Sequence, residues 1–399
     1  MDSVNNQANK PSMLSSAWEG FKATVGSFFS GLSPTTWFGS KTTSLAGSFM
    51  REGSQYAAMG DPCGSFVYVE PVKTQTEYGK SYHFDAEPMK EKTAASAMRY
   101  AAAIWVTEGF VNSGIDPINT AGTYDAKKNV AEKDDFKYVA CTEIPGQEPI
   151  YTGNNADIDT GAIEGNLEVS TEKGVNYYVD HESGLAFTAL KNHRTGEIVI
   201  SFPGLGGGAG IPGIKGDESR LAAFTNAQLS AVTKQLVGDV PQCYKQAAAI
   251  VAQLKTKNPD AKVTTTGFSF GGSVAQYAAL KHESDHPNSG NPVTAHCFNG
   301  LAIGAGLQRD IGDATLEKAD ERITHYGTEG DWVTDLTGIK TLDKILGFIG
   351  FRTPGNYGKK HVLPPADKNQ SLAERHIGIR RNMLDHSGWL PKNPVAQSA

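Results

Sequence analysis

Strand-like and helix-like segments alternate along the chain from about residue 176 onward. Short stretches rich in Val, Ile, Phe and Tyr are followed by longer segments whose apolar residues recur at helical spacing. Strands that alternate with helices form parallel βαβ units, and ligands of such sheets bind beyond the carboxyl ends of the strands. The sequence therefore predicts an α/β fold with a mostly parallel central sheet flanked by helices.

The composition is globular and argues against several classes of function. The 399-residue chain has 39% hydrophobic and 20% charged residues, unlike disordered or fibrous chains. Lys and Arg number 37 against 43 Asp and Glu, so nucleic-acid binding is not expected. No apolar run reaches the roughly 18 residues of a spanning helix. The four cysteines are far apart and form no CxxC pair, and no metal site or organic cofactor is indicated.

Three regions differ in sequence character. Residues 1–50 form an N-terminal tail, residues 51–175 an accessory α+β region, and residues 176–399 the region of regular alternation that we expect to be catalytic. Within the accessory region, residues 64–69 predict a strand and residues 92–110 a buried helix. We expect the accessory region to pack on the catalytic one.

The tail contains one apolar face at helical spacing, opposite a face of Ser, Gly, Thr and Ala. The apolar residues of this face are Leu14, Trp18, Phe21, Val25, Phe28 and Leu32. Such a helix could pack on the protein's own core or on a partner such as a secretion chaperone, or it could lie in a membrane interface. The polar start of the chain lacks the pattern of a Sec signal, which favours a cytoplasmic location in the producing cell. From there a signal-independent route could secrete it as a bacterial effector that acts at a target membrane.

A G-x-S-x-G motif at residues 267–271 carries the clearest chemical signal. A predicted strand precedes it and a predicted helix follows, which is the setting of a nucleophile on a sharp strand-to-helix turn. Small flanking residues let the strand and the helix approach closely, and the helix N-terminus stabilises negative charge. Ser269 is therefore the candidate nucleophile. The alternative is a structural turn with an ordinary capping serine.

A serine nucleophile needs a base, and the base needs an orienting acid. In a nucleophile-elbow fold both follow the serine, in the order acid and then histidine. Asp331 comes just after a predicted strand and is the candidate acid, with Asp335 in reserve. His376 is the favoured base and His361 the second choice.

The oxyanion hole requires two backbone N–H groups. One is expected from Phe270, the residue after the nucleophile. The other is expected from the glycine-rich loop after the strand at 197–202, where Pro203 has no N–H. Gly204 or Leu205 must then supply it. A phosphate-binding loop is the rival interpretation, but the GK[ST] ending is absent.

Residues 177–380 resemble the class 3 lipases, the fungal-type branch of the α/β-hydrolases. Four blocks carry the resemblance. They are Ser183-Gly184-Leu185 with the strand into Phe202-Pro203-Gly204, the stretch 267–275, the stretch 323–333, and the block around His376. The sequence departs from the family pattern on both sides of the serine, where Phe268 and Phe270 stand in place of His and Leu. The family's Arg-Gly-Thr/Ser hole loop is Pro203-Gly204-Leu205 here, so a hydroxyl that could assist the oxyanion is missing.

The resemblance implies an α/β-hydrolase that cleaves fatty-acyl esters of lipids or phospholipids, with Ser269, Asp331 and His376 as the triad. Peripheral membrane contact is expected, because lipid substrates are reached at an interface. Residues 206–225, where the family carries a lid, and the apolar stretch 338–351 could supply apolar surface. Two alternatives are an acyltransferase that uses the same triad and a non-catalytic lipid- or protein-binding module.

Overall fold

The computed structural model describes residues 75–76, 79–80, 86–108, 155–172, 174–192, 195–287, 289–331, 333–334, 354–365, 370 and 372–387. All of them belong to the second of two compact units into which the chain divides, residues 69–399. The tail at 1–50, the strand predicted at 64–69 and the apolar stretch at 338–351 lie outside the described residues.

Eleven strands form two sheets in the described part of the chain. Their bounds are Gln75–Thr76 (β1), Gly79–Lys80 (β2), Ala86–Pro88 (β3), Glu168–Glu172 (β4), Val175–Asp180 (β5), Leu185–Lys191 (β6), Ile198–Phe202 (β7), Val263–Phe268 (β8), Thr294–Phe298 (β9), Ile323–Thr328 (β10) and Lys359–Leu363 (β11). Strands β1 and β2 pair as a small hairpin. The other nine form one sheet in the order β3-β11-β10-β9-β8-β7-β6-β5-β4.

The large sheet has a parallel half and an antiparallel half. Strands β7 to β11 and β3 run parallel, whereas β4 to β7 are joined by antiparallel pairings. The predicted mostly parallel sheet is therefore confirmed. The carboxyl ends of β7, β8 and β10 meet at one edge of the sheet. The loop after β7 carries the predicted oxyanion-hole residues Gly204 and Leu205, the loop after β8 carries Ser269, and the loop after β10 carries Asp331.

Eight α-helices are described, and helical layers cover both faces of the sheet. Their bounds are Glu91–Thr107 (α1), Glu218–Val237 (α2), Gln242–Lys257 (α3), Phe270–Asp285 (α4), Ala305–Ile311 (α5), Asp313–Leu316 (α6), Leu372–Ile377 (α7) and Ile379–His386 (α8). Consecutive residues of a strand point to opposite faces. On β8, the Thr264 hydroxyl reaches Glu197, which bonds α1 through Tyr100, whereas the Thr265 hydroxyl donates to a carbonyl of α4. Helices α1 and α4 therefore lie on opposite sides.

The elements predicted in the catalytic region are confirmed, with shifts of a few residues at their ends. Helix α6 ends at Leu316, and a 3-10 turn follows at Ala319–Glu321. Helix α1 confirms the helix predicted at 92–110, and it packs on β6, β7 and β8. Its residues 100–107 are all buried, as their apolar pattern indicates.

Within the described ranges, no helix is long and apolar enough to cross a membrane. The same residues contain no group of three His, Cys, Asp or Glu side chains placed to hold a metal ion.

Candidate active site

Ser269 lies on the turn between β8 and α4 with a strained backbone. Its φ is 53° and its ψ is −118°, a combination that residues other than glycine rarely adopt. Strain of this kind costs about 1–3 kcal/mol and persists only where the surroundings impose it. The turn aims the side chain at the space beyond the carboxyl end of the sheet, next to the N-terminus of α4. The predicted strand-to-helix setting of the G-x-S-x-G motif is thus confirmed.

The two glycines that flank Ser269 are required by backbone contacts. A Cβ atom at Gly267 would collide with the backbone of Gly271. A Cβ atom at Gly271 would in turn collide with the carbonyl oxygens of Phe202 and Pro203, at the end of the neighbouring strand. The two glycines of the motif therefore allow α4 to approach β7 and β8 closely.

Ser269, His376 and Asp331 form one hydrogen-bonded chain. His376 Nε2 lies 2.8 Å from Ser269 Oγ, and His376 Nδ1 lies 3.0 Å and 3.1 Å from the two Asp331 carboxylate oxygens. All three are buried, with 3% exposure at Ser269, 1% at His376 and none at Asp331. Because the carboxylate can only accept, Nδ1 carries the proton and Nε2 is left to accept from the serine hydroxyl. This is the arrangement that a serine nucleophile needs.

The Asp331 carboxylate is held by further donors. The Thr334 hydroxyl donates to Oδ2 at 2.5 Å, and the Val333 N–H donates to Oδ1 at 3.3 Å. The Asp331 N–H itself donates to the Thr328 carbonyl at the end of β10. These contacts fix the carboxylate next to the imidazole that it orients.

His361, the second-choice base, is not part of this hydrogen-bonded triad. His361 lies on β11, where it faces Glu87 at 4.0 Å and stacks on the Tyr326 ring. Burial lowers the pKa of its imidazole, with nearby Glu87 acting in the opposite direction. Asp335 lies outside the described residues.

The predicted oxyanion-hole residues sit beside one another but differ in their hydrogen bonds. The Gly204 N–H donates to Glu108 Oε1 at 3.3 Å. Neither the Leu205 N–H nor the Phe270 N–H has an acceptor among the residues that the structure describes. Since a hole donor must be free to bind the developing oxyanion, the geometry favours Leu205 and Phe270 over Gly204.

The segment 206–225, predicted as a lid, is packed against the body of the protein. The Gly206 N–H donates to Gln228 Oε1 at 2.9 Å, and the Arg220 guanidinium donates to the Gly213 carbonyl at 3.1 Å. Ile211, Ile214 and Phe224 are buried. These three apolar side chains therefore contribute to the core in this conformation.

Sequence reasoning missed a buried ion pair beside the hole loop. Glu108, at the C-terminal end of α1, binds Arg380 of α8 at 2.7 Å, and both side chains are almost fully buried. The Arg380 guanidinium also lies 4.7 Å from the centre of the Phe268 ring, and that ring packs on His376 at 5.0 Å. The one available signal was an acidic residue directly after a run of buried, mostly apolar residues.

Comparison with known proteins places this site in a family context. Residues 217–341 match the family model described as Lipase (class 3). The matched segment contains Ser269 and Asp331 and ends before His376. Comparison with curated protein sequences gives no significant match.

Solved structures similar to this chain include several fungal lipases. A lipase from Rhizopus microsporus var. chinensis is 14% identical, with 62% of this chain and 70% of that chain covered and a TM-score of 0.30. A nonglycosylated Yarrowia lipolytica lipase is 11% identical, with 73% and 86% covered and a TM-score of 0.35. A triacylglycerol lipase from Penicillium expansum is 14% identical, with 52% and 73% covered and a TM-score of 0.29. TM-scores of this size carry no functional inference.

Proposed function

We propose that this chain, which matches the class 3 lipase model over residues 217–341, is a carboxylic ester hydrolase that cleaves fatty-acyl esters through an acyl-enzyme on Ser269. The observation that carries the proposal is the buried chain of hydrogen bonds from Ser269 through His376 to Asp331. The substrates are lipids or phospholipids, as in a lipase or a phospholipase A.

In the first half-reaction, Ser269 Oγ attacks the ester carbonyl carbon while His376 Nε2 takes the hydroxyl proton. The negative charge that develops on the carbonyl oxygen is held by the Leu205 and Phe270 N–H groups and by the N-terminus of α4. When the tetrahedral intermediate collapses, the ester C–O bond breaks and His376 returns the proton to the leaving alcohol. The acyl group is then an ester of Ser269.

In the second half-reaction, His376 takes a proton from a water molecule that attacks the acyl-enzyme. Collapse of this second intermediate releases the fatty acid and restores the serine hydroxyl. Asp331 stays a hydrogen-bond acceptor in both steps and stabilises the imidazolium that forms. The burial of all three side chains supports the proposal, because charge stabilisation is stronger in a dry site.

Product analysis tests the proposal and identifies the substrate class. A mixed lipid extract is incubated with the wild type or with a Ser269→Ala variant, and the products are identified by mass spectrometry. We expect free fatty acids together with lysophospholipids or partial glycerides, formed by the wild type alone. Equal product from the two proteins, or none from either, would contradict it.

The same experiment separates hydrolysis from acyl transfer. An acyl-enzyme that reacts with an alcohol instead of water would leave little free fatty acid and would form new esters, such as steryl esters, when a sterol is present. A binding module would consume no lipid and would leave Ser269 unreactive toward a fluorophosphonate probe.

Membrane contact through the tail is a further part of the proposal, and it rests on sequence pattern alone. Replacing Phe21 and Phe28 with serine should weaken binding to phosphatidylcholine vesicles by roughly tenfold or more, because each buried aromatic ring contributes on the order of 1.5–3 kcal/mol. Cosedimentation measures the effect. Replacing Ser27, on the polar face, with alanine is the control. Unchanged binding in the phenylalanine variant would favour the alternative that this face contacts protein.

A further inference from the structure

Asn299 occupies the turn that follows β9, between the loop that carries Ser269 and the loop that carries Asp331. Its side chain is fully buried. Its φ of 41° lies in the left-handed region, which asparagine tolerates better than most other L residues. Nothing in the sequence motifs marks this residue, since it follows a strand without a recognisable signature.

The Asn299 amide makes three hydrogen bonds, which use both of its donors and its acceptor. Nδ2 donates to the carbonyl of His376 at 2.8 Å and to the carbonyl of Arg375 at 3.1 Å. Oδ1 accepts from the Thr328 N–H, at the end of β10, at 2.9 Å. One side chain therefore ties the backbone of the histidine to the strand that leads into the acid.

The backbone around Asn299 completes this connection. The Asn299 N–H donates to the Tyr326 carbonyl at 2.8 Å, and the preceding Phe298 carbonyl accepts from the Ser269 N–H at 3.0 Å. Two consecutive residues thus contact all three loops of the hydrogen-bonded chain. The contact to His376 is made by a side chain alone, so one substitution can remove it.

We propose that Asn299 is a positioning residue, which holds His376 at the right distance from Ser269 and in register with Asp331; this inference rests on the proposed function. The His376 and Arg375 carbonyls lie at the end of the short helix α7, where helix carbonyls lack intrahelical partners. Asn299 supplies those partners and so fixes the backbone from which the imidazole projects. A misplacement of about 1 Å at a reacting group can cost 10²-fold in rate.

Two variants separate the donor function from the rest of the side chain. Asn299→Gly removes all three side-chain bonds and suits the positive φ. Asn299→Asp keeps the acceptor for the Thr328 N–H but places a carboxylate oxygen against the two carbonyls. We expect both variants to lower kcat on a short soluble ester by roughly 10- to 100-fold with little change in KM. The rate of fluorophosphonate labelling of Ser269 should fall in parallel.

Asn192 offers a matched control. It is also fully buried and accepts from the Thr195 N–H, but its turn lies at the opposite end of β7 from the hole loop. Asn192→Gly should lower thermal stability while the folded protein keeps its kcat and labelling rate. If the folded Asn299 variants also keep wild-type kcat and labelling, Asn299 is only structural and the inference is overturned. A wild type that neither labels nor hydrolyses the ester would overturn the proposed function itself.

Discussion

Replacing Ser269 with alanine is expected to lower kcat for ester hydrolysis by at least about 10⁴-fold while the protein still folds. The reason for the loss is that the Ser269 hydroxyl, 2.8 Å from His376 Nε2, is the one hydroxyl bonded to this base among the described residues. The fold should persist because alanine has the same Cβ and therefore keeps the backbone strain that serine already tolerates. Steady-state kinetics on a soluble ester and circular dichroism measure the two effects.

A glycine at the same position makes the test sharper. Ser269→Gly should be as inactive as the alanine variant but more stable than the wild type by about 1 kcal/mol, because glycine adopts φ 53° without strain. Ser273, one turn further along α4, serves as the control. Its hydroxyl bonds Tyr244 and the Phe270 carbonyl, away from His376, so Ser273→Ala should keep most of the activity. Activity that survives in both Ser269 variants would contradict the assigned nucleophile.

The part of this site that could be predicted from sequence is the part encoded locally. Ser269 stands between a recognisable strand and a recognisable helix, and its flanking glycines report a backbone contact that no larger residue allows. Asp331 comes shortly after the end of a strand, and chain order then limits the choice of histidine. The pattern favoured His376 and kept His361 as second choice, because the final position of the histidine depends on how α7 folds back over the sheet.

The part that could not be predicted depends on contacts between distant segments. Glu108 is separated by 96 residues from Gly204 and by 272 residues from Arg380, and no spacing rule connects them. The edge strand β3 is three exposed residues that end in proline, too short and too polar to show a strand pattern. Both belong to the region 51–175, whose loop-rich sequence hid its contribution to the sheet and to the site.

Replacing Glu108 with glutamine is expected to destabilise the protein by about 3–5 kcal/mol, the usual cost of leaving one partner of a buried ion pair without its counter-charge. In this variant the Arg380 guanidinium stays buried between the Trp105 and Phe268 rings. The Nε atom of Arg380 already lacks a hydrogen-bond partner among the described residues. The guanidinium charge therefore depends on the Glu108 carboxylate, which lies 2.7 Å from its Nη1 atom. Urea denaturation measures the loss.

A double variant and an exposed ion pair serve as controls. Glu108→Gln with Arg380→Met removes the uncompensated charge and should regain much of the lost stability, since methionine can fill the space between the two rings. The exposed pair Lys257–Asp157, at 3.0 Å, should cost less than about 1 kcal/mol when Asp157 becomes asparagine. A double variant less stable than Glu108→Gln would contradict this account of the pair.

The same ion pair should also affect catalysis, because Glu108 holds two parts of the site. Its Oε1 accepts from the Gly204 N–H, which sets the path of the hole loop, and through Arg380 it supports the Phe268 ring that packs on His376. At a temperature where Glu108→Gln is still folded, we expect a lower kcat. The double variant should regain stability but not kcat, because an amide oxygen is a weaker acceptor for the Gly204 N–H than a carboxylate and the Phe268 ring has lost the guanidinium that supports it. If kcat returned together with stability, Glu108 would act on the fold alone.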